Sequence, residues 1–179
     1  MKKFLIILLY TAGFVCIFAA TPTLTVLQFK NNKLVAWPKK YQLSRNGMMK
    51  QAGVNVNISS RRAGKLQEWN VVAENKGTKT AKLCFRLSVP AGKPGGAFWD
   101  GFAIKDNITR TFKPETKRYI FPAVTYVKDG NLTGIGYAPA TVSSRFERFC
   151  TVGRDGVTLF FDSYMVLEPG QNDKVIFIN

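Results

Sequence analysis

The sequence has no histidine among its 179 residues, and its first 67 residues contain no aspartate or glutamate. The absence of histidine excludes every catalytic triad with a histidine base and most zinc sites. The three cysteines form no Cys-x-x-Cys pair. The glycine-rich stretch "GKPGG" lacks the spacing and the Lys-Ser/Thr ending of a phosphate-binding loop. We therefore expect neither a metal nor any other cofactor.

What is present at the N-terminus is a leader-like segment. Two lysines follow Met1, and the 17 residues from Phe4 to Ala20 carry no charge. This pattern is typical of a secretory signal peptide over residues 1–20, with small residues at the end for cleavage. The same length barely suffices for an uncleaved membrane anchor. Either reading places residues 21–179 outside the cytoplasm, as a secreted, periplasmic or cell-envelope protein.

The basic charge of the chain is concentrated near its beginning. Residues 1–67 contain eleven Lys or Arg residues and no acid, whereas residues 68–179 contain fifteen basic and eleven acidic residues, a net charge of +4. Such a field favours an anionic neighbour, either an envelope polymer or a membrane surface, although a soluble cationic surface without a partner explains it equally well. An exported protein is not expected to bind nucleic acid. The candidate anion-binding residues are Lys33, Lys39, Lys40, Arg45, Lys50, Arg61, Arg62 and Lys65.

Beyond residue 21 the pattern is that of β-structure. Short runs rich in β-branched and aromatic residues alternate with Gly, Pro, Asn and Asp turns. More than ten such runs predict an all-β fold, an antiparallel β-sandwich following the leader. Residues 37–50 are the least patterned and are expected to form a long loop. The predicted strands are Thr23–Phe29, Leu34–Trp37, Gly53–Ser59, Leu66–Glu74, Thr80–Val89, Ala97–Ile104, Ile108–Phe112, Arg118–Val127, Leu132–Tyr137, Ser144–Val152, Val157–Val166 and Lys174–Ile178.

The stretch "KRYIFPAVTYVKDGNLTGIGYAP" predicts a β-hairpin with unusual features. Asp129-Gly130 supplies the positive φ angles of a tight turn. Pro122 cannot donate a ladder hydrogen bond, so the strand is expected to be bulged or unpaired there. Gly134 and Gly136 share one face of the return strand and leave a bare strip. We expect a neighbouring aromatic ring, or alternatively a ligand, to pack against that strip.

Two cysteines remain after the leader, Cys84 and Cys150. An oxidising compartment permits one disulfide between them. Two separate buried thiols are the equally weighted alternative.

Four sequence segments resemble a known class of domain. They are "EWNVVAENKGTKTAKLCFRLSVP", "AFWDGF", "FPAVTYVKDGNLTGIGYAP" and "LFFDSYMVLEPGQNDKVIFIN", and they occur in that order. Together they resemble the large β-sandwich domains, of the galactose-mutarotase-like supersandwich type, in secreted glycoside-hydrolase-like proteins. The resemblance covers about residues 65–179. Such a sandwich commonly precedes a catalytic domain, so the resemblance implies an accessory domain to which no catalytic residues carry over.

The best candidate for carbohydrate binding is the aromatic cluster around Trp99. An aromatic face offers apolar area to a pyranose ring, and the adjacent carboxylate of Asp100 can accept hydrogen bonds from hydroxyl groups. Phe98 and Phe102 belong to the same cluster, and Trp37 is a second exposed-aromatic candidate within the basic segment. The alternative is that Trp99 closes the end of the sandwich core.

The sequence favours a chain without catalytic activity. Glycoside hydrolysis requires two carboxyl groups that flank a cleft. Most of the eleven acids lie in evident turns, and only Asp100 and Asp162 have unusual neighbours. These observations leave three hypotheses open: a non-catalytic carbohydrate-binding or accessory domain in polysaccharide processing, a cationic envelope protein that binds anionic polymers or membrane, and a stand-alone glycoside hydrolase.

Overall fold

A computed structural model describes residues 21–31, 33–43, 46–64, 66–114, 123–139 and 145–179. All regular secondary structure in these ranges is β-strand. No helix within them is long and apolar enough to cross a membrane. The strands are β1 (Thr23–Lys30), β2 (Lys33–Ala36), β3 (Tyr41–Gln42), β4 (Gly47–Gln51), β5 (Val54–Ala63), β6 (Leu66–Asn75), β7 (Ala81–Gly92), β8 (Gly96–Trp99), β9 (Ile104–Ile108), β10 (Ala123–Lys128), β11 (Asn131–Pro139), β12 (Phe146–Gly153), β13 (Gly156–Leu167) and β14 (Asn172–Ile178).

The strands form two antiparallel sheets. The six-stranded sheet has the order β12-β13-β7-β1-β2, with β3 also paired to β1. The eight-stranded sheet has the order β4-β5-β6-β14-β11-β10-β8-β9. The predicted all-β antiparallel sandwich is therefore confirmed.

The core lies between the inner faces of the two sheets. On β7, Leu83, Phe85 and Leu87 alternate with outward-facing residues and are fully buried, as strand periodicity requires. The ring of Phe161 on β13 meets that of Phe177 on β14 edge to face, with centroids 6.2 Å apart. This contact joins the two sheets, so burial of these aromatic rings holds the layers together.

Three predicted elements differ from the structure. Residues 37–50 are not one long loop, because they contain β3 and most of β4. This segment is fixed to the core: the indole N–H of Trp69 donates to the carbonyl of Leu43 at 3.1 Å, and the side chain of Tyr41 is buried. The segment was predicted as a loop because many of its residues are polar or basic, so its few buried residues form no recognisable pattern.

The predicted strand 97–104 is also wrong, because the chain turns between β8 and β9. The Asp100 carboxylate accepts hydrogen bonds from the amides of Phe102 and Ala103, and Gly101 adopts a φ of 88°. Residues 104–108 then return along β8 as β9. The predicted strand over 108–112 reduces to one bridge, between Phe112 and Cys150.

The predicted hairpin turn is present between β10 and β11. Asp129 and Gly130 have φ angles of 50° and 77°, which suit a tight two-residue connection. Residues 115–122, which include Pro122, lie outside the described ranges.

The two cysteines are separate, buried thiols. Cys84 lies opposite Tyr164 of β13, whereas Cys150 lies opposite Leu159 of the same strand, so β13 separates them. Two strand spacings amount to about 9.5 Å, beyond the Cα separation that a disulfide tolerates. Of the two alternatives that the sequence left open, the structure has the unpaired thiols.

Candidate functional site

The outer face of the six-stranded sheet is unusually rich in aromatic and charged side chains. Strand alternation turns Arg86 on β7 away from the core, and the register places Asp162 of β13 directly opposite it. Glu147 of β12 is the next residue in the same row. One row along, Phe149 of β12 lies opposite Phe160 of β13. Outer positions of half-solvated strands are usually polar, so these phenylalanines require an explanation.

Arg86 and Asp162 form a bidentate ion pair at the centre of this face. The guanidinium donates from Nε to Oδ1 at 2.8 Å and from Nη2 to Oδ2 at 2.7 Å. The Asp162 side chain is 2% exposed and that of Arg86 is 31% exposed. The hydrogen bonds to Asp162 raise the pKa of Arg86, so its charge is permanent. The result is a cation held rigidly at the surface.

The rings of Phe149 and Phe160 cover the base of this ion pair. They stack with centroids 4.8 Å apart and an interplanar angle of 6°. The Arg86 guanidinium carbon lies 5.3 Å from the Phe149 centroid and 5.9 Å from the Phe160 centroid. These distances permit cation–π attraction to both rings. The aromatic pair therefore restricts Arg86 further and remains half-exposed itself.

A second aromatic–cation group continues the face. The guanidinium of Arg145 lies 5.4 Å from the Tyr164 ring centroid. Phe29 of β1 approaches Tyr164 with centroids 6.4 Å apart, and it is 39% exposed. Burial raises the pKa of the Tyr164 hydroxyl, so it remains a hydrogen-bond donor at neutral pH. We call the six side chains Phe29, Arg86, Arg145, Phe149, Phe160 and Tyr164 the arginine–aromatic face.

Glu147 lies at the margin of this face between two cations. Its carboxylate accepts from Lys113 Nζ at 2.7 Å and from Arg145 Nη2 at 3.1 Å. Burial acts to raise the pKa of Glu147, but the hydrogen bonds and charges of Lys113 and Arg145 outweigh it, and the pKa is lowered. Glu147 is therefore held as an anion and is not a proton donor at neutral pH.

The structure divides the residues predicted around Trp99 among the core, a turn and the surface. Phe98 is fully buried in the core, where its ring meets Phe112 edge to face at 5.6 Å. Asp100 is 2% exposed, and one of its oxygens accepts the amides that close the β8–β9 turn. Its other oxygen lies 4.0 Å from Nη2 of buried Arg148. Trp99 is partly exposed on the outer face of the eight-stranded sheet, and Phe102, in the turn after it, is 55% exposed.

Trp37, the other predicted aromatic candidate, is only 4% exposed. Its indole nitrogen lies 3.4 Å from Oε1 of Gln28, and it belongs to the core. The prediction of an exposed ring at this position is wrong.

The bare strip of Gly134 and Gly136 lines a cleft of about 670 Å³. A Cβ atom at Gly134 would lie 3.1 Å from the Thr125 methyl group, whereas one at Gly136 would lie 3.6 Å from Ile178. None of the described residues that line this cleft is aromatic. The expectation of a packed aromatic ring is therefore not met within the described part of the chain.

The predicted basic residues are divided among different environments. Lys33, Lys39, Lys40 and Lys50 are exposed. Arg61 makes a bidentate pair with Glu68 at 2.8 and 2.9 Å, and Arg62 donates to the Gly64 carbonyl at 3.1 Å. A groove brings together Trp37, Lys39 and Lys50. Arg45 and Lys65 lie outside the described residues.

Comparison with known proteins concerns the fold. No family model matches this sequence, and no curated protein shows a significant match. Among solved structures, a polysaccharide lyase aligns with 89% of this chain at 10% identity and a TM-score of 0.51. The GH36 alpha-galactosidase AgaB from Geobacillus stearothermophilus aligns with 86% at 14% identity and a TM-score of 0.49. A second GH36 alpha-galactosidase of that organism, AgaA, aligns with 70% at 16% identity and a TM-score of 0.45.

The chain spans about a quarter of the length of these proteins: 25%, 29% and 22% respectively. At such low identities the likeness shows fold alone. The resemblance drawn from the sequence segments is confirmed to that extent: this β-sandwich is of a kind found in carbohydrate-active enzymes.

Proposed function

We propose that this protein is a non-catalytic, extracytoplasmic carbohydrate-binding protein that assists polysaccharide processing, and that the arginine–aromatic face is its binding surface. The observation that carries the proposal is the combination of partly exposed rings with fixed cations on the outer face of one sheet. Aromatic rings pack against the apolar faces of sugar rings, and guanidinium groups donate hydrogen bonds to hydroxyl oxygens.

Preorganisation supports this choice of surface. Asp162 and two phenyl rings hold Arg86 in place, and Glu147 and the Tyr164 ring hold Arg145. Side chains that are already ordered lose little conformational entropy when a ligand binds. The polysaccharide lyase with a similar fold acts in the same field of chemistry, which agrees with the proposal without carrying it.

The state of the carboxylates favours binding over hydrolysis. A glycosidase pair needs one carboxyl group that stays protonated to serve as the acid. Glu147 and Asp162 are cross-strand neighbours, but Glu147 has a lowered pKa and both oxygens of Asp162 accept from Arg86. Both carboxylates are therefore bound in ion pairs as anions, and neither is placed to act as the acid.

The test is retention on neutral insoluble glycans at high salt. The Phe149→Leu/Phe160→Leu variant keeps apolar volume on the sheet but removes both rings. We expect binding to weaken at least about tenfold, because ring stacking contributes on the order of 1 kcal/mol per contact. Ile104→Ala is the matched control, since Ile104 is an exposed apolar residue of the other sheet. Undiminished binding by the double variant would refute this surface.

Extracytoplasmic location has its own test. When the full-length gene is expressed in a bacterial host, we expect the protein in the periplasm or medium with a mass that lacks about the first 20 residues. Accumulation in the cytoplasm at full mass would contradict this part of the proposal.

A further inference from the structure

A basic groove lies at the edge of the sandwich where edge strands of both sheets meet. On one side the chain leaves β2 through Trp37 and Pro38, and on the other runs β4, the last strand of the eight-stranded sheet. The groove has a volume of about 510 Å³. It is lined by Trp37, Pro38, Lys39, Met48, Met49, Lys50 and Gln51.

Within the described part of the chain, no acidic side chain neutralises the charge of this groove. Lys39 and Lys50 are exposed and belong to opposite walls. The structure describes no ion pair for either side chain, and no acidic residue precedes Glu68 in the sequence. Arg61, by contrast, is paired with Glu68. Uncompensated positive charge in a concave site raises the local concentration of anions.

A like-charge pair extends the positive field along the same edge. Lys30 and Lys33 are directly opposite each other at the end of the β1–β2 hairpin, and both are exposed. Like charges in this position destabilise a strand pair. An anion bound between them would remove that penalty, so the pair points to the same kind of partner as the groove.

The arrangement suits an extended anion better than a small one. The length of β2, about 10 Å, separates the hairpin lysines from the groove. A single small anion cannot contact both, whereas a polymer can follow the edge. The Met48 side chain, which is 52% exposed, gives the groove an apolar surface that suits the apolar faces of sugar rings. A membrane surface would engage a flat or protruding region rather than a groove.

We infer that this edge binds an acidic polysaccharide, a chain bearing regularly spaced carboxylate groups. The inference rests on the proposed carbohydrate-binding function and names the class of glycan. It assigns a second site, at the edge away from β12 and β13, that contributes charge-dependent affinity and selects acidic over neutral chains.

The experiment measures binding of the full-length gene product to polygalacturonate, alginate and hyaluronan at about 50 mM and about 500 mM salt. Methyl-esterified polygalacturonate, which has the same backbone without the charges, is the ligand control. The Lys39→Gln/Lys50→Gln variant is compared with Lys79→Gln/Lys174→Gln, which removes the same charge from exposed lysines elsewhere. Folding is not at risk, because all four lysines are exposed.

We expect binding to at least one acidic polymer that falls steeply with salt and is about tenfold weaker in the groove variant but not in the control. Three results would overturn the inference. They are equal binding of the esterified polymer, an equal loss of affinity in both lysine variants, and no binding to any acidic polymer. Equal binding to vesicles rich in phosphatidylglycerol would overturn the choice of polysaccharide over membrane. None of these results affects salt-resistant retention on neutral glycans, which tests the proposed function separately.

Discussion

Glu147 and Asp162 are cross-strand neighbours on β12 and β13, yet each carboxylate is bound by different cations. Asp162 is paired with Arg86, and Glu147 with Lys113 and Arg145. Two anions side by side would repel each other, so three cations are needed to hold this row together. The stability of the arginine–aromatic face therefore depends on the three cations that contact these two adjacent anions.

The central ion pair gives the first prediction. Asp162→Asn should destabilise the protein by about 2 kcal/mol, because it leaves Arg86 over two phenyl rings without its anion. The figure is below that of a fully buried pair because the Arg86 side chain is 31% exposed. Urea unfolding of the variant and the wild type measures the change.

The matched control for that experiment is Glu68→Gln. It breaks the same bidentate geometry with Arg61, whose side chain is 74% exposed. Solvent screens that pair, so its loss should be small. Equal losses in the two variants would contradict the structural role assigned to Asp162.

Glu147 predicts a specific dependence of stability on pH. Its pKa in the folded protein is lowered below the ordinary value of 4.5. A lowered folded pKa contributes stability above the unfolded value and loses it as the pH falls through the folded value. Wild type should therefore be more stable than Glu147→Gln at pH 7, and the difference should shrink as the pH falls below the ordinary value and through the lowered folded pKa.

Urea midpoints at several pH values between about 7 and 3 test this prediction. Asp155→Asn, in the β12–β13 turn, controls for the general effect of removing one negative charge from a basic protein. The prediction fails if the stability difference between wild type and Glu147→Gln stays constant with pH. It also fails if the difference between wild type and Asp155→Asn shrinks at low pH by the same amount, because the ion pairs of Glu147 would then not be the cause.

The fold could be predicted from the sequence because strands and turns are recognised from short stretches of neighbouring residues. The pattern of residues 80–89 correctly predicted a strand, and Asp129-Gly130 correctly predicted a hairpin turn. Errors arose where one side chain redirects the chain. Asp100 closes the turn between β8 and β9, and the buried ring of Tyr41 anchors an otherwise polar segment.

The arginine–aromatic face could not be predicted from short stretches of sequence. Arg86 and Asp162 are 76 residues apart, and only the strand order β12-β13-β7 brings them together with Phe149. A local signal was nevertheless present. Phe160 and Phe161 are consecutive in a strand, so one of them must face outward, and Asp162 follows them. Alternation identifies such an outward ring, but not the strands beside it.

The burial of the two cysteines predicts how many thiols react before and after unfolding. Cys84 and Cys150 are fully buried, and burial raises the pKa of both thiols, so neither should react with Ellman's reagent in the native protein. Unfolding without reductant should release both, with Cys16 as a third wherever the leader is retained. Rapid reaction in the native state, or no free thiol after unfolding, would contradict the structure.

Two glycines predict opposite effects of the same substitution. A Cβ at Gly96 would collide with the Val127 carbonyl and the Tyr126 ring, so Gly96→Ala should cost about 2 kcal/mol or more. A Cβ at Gly136 meets only Ile178, at an ordinary 3.6 Å. Gly136→Ala should therefore stabilise by about 0.5 kcal/mol, because alanine loses less backbone entropy on folding. Thermal unfolding of both variants would measure the contrast, and similar shifts would contradict it.

A substitution of Trp99 tests which of the two sheets carries the carbohydrate-binding site. A sugar platform at Trp99 would make Trp99→Ala abolish carbohydrate binding, but the structure separates Trp99 from two of its expected partners, since Phe98 is in the core and Asp100 is bound within a turn. We therefore expect Trp99→Ala to retain most neutral-glycan binding at high salt, whereas Phe160→Leu weakens it. The reverse result would move the site to the eight-stranded sheet beside the glycine-lined cleft, because Trp99 lies opposite Thr125, which lines that cleft. The arginine–aromatic face would then be a purely structural cluster.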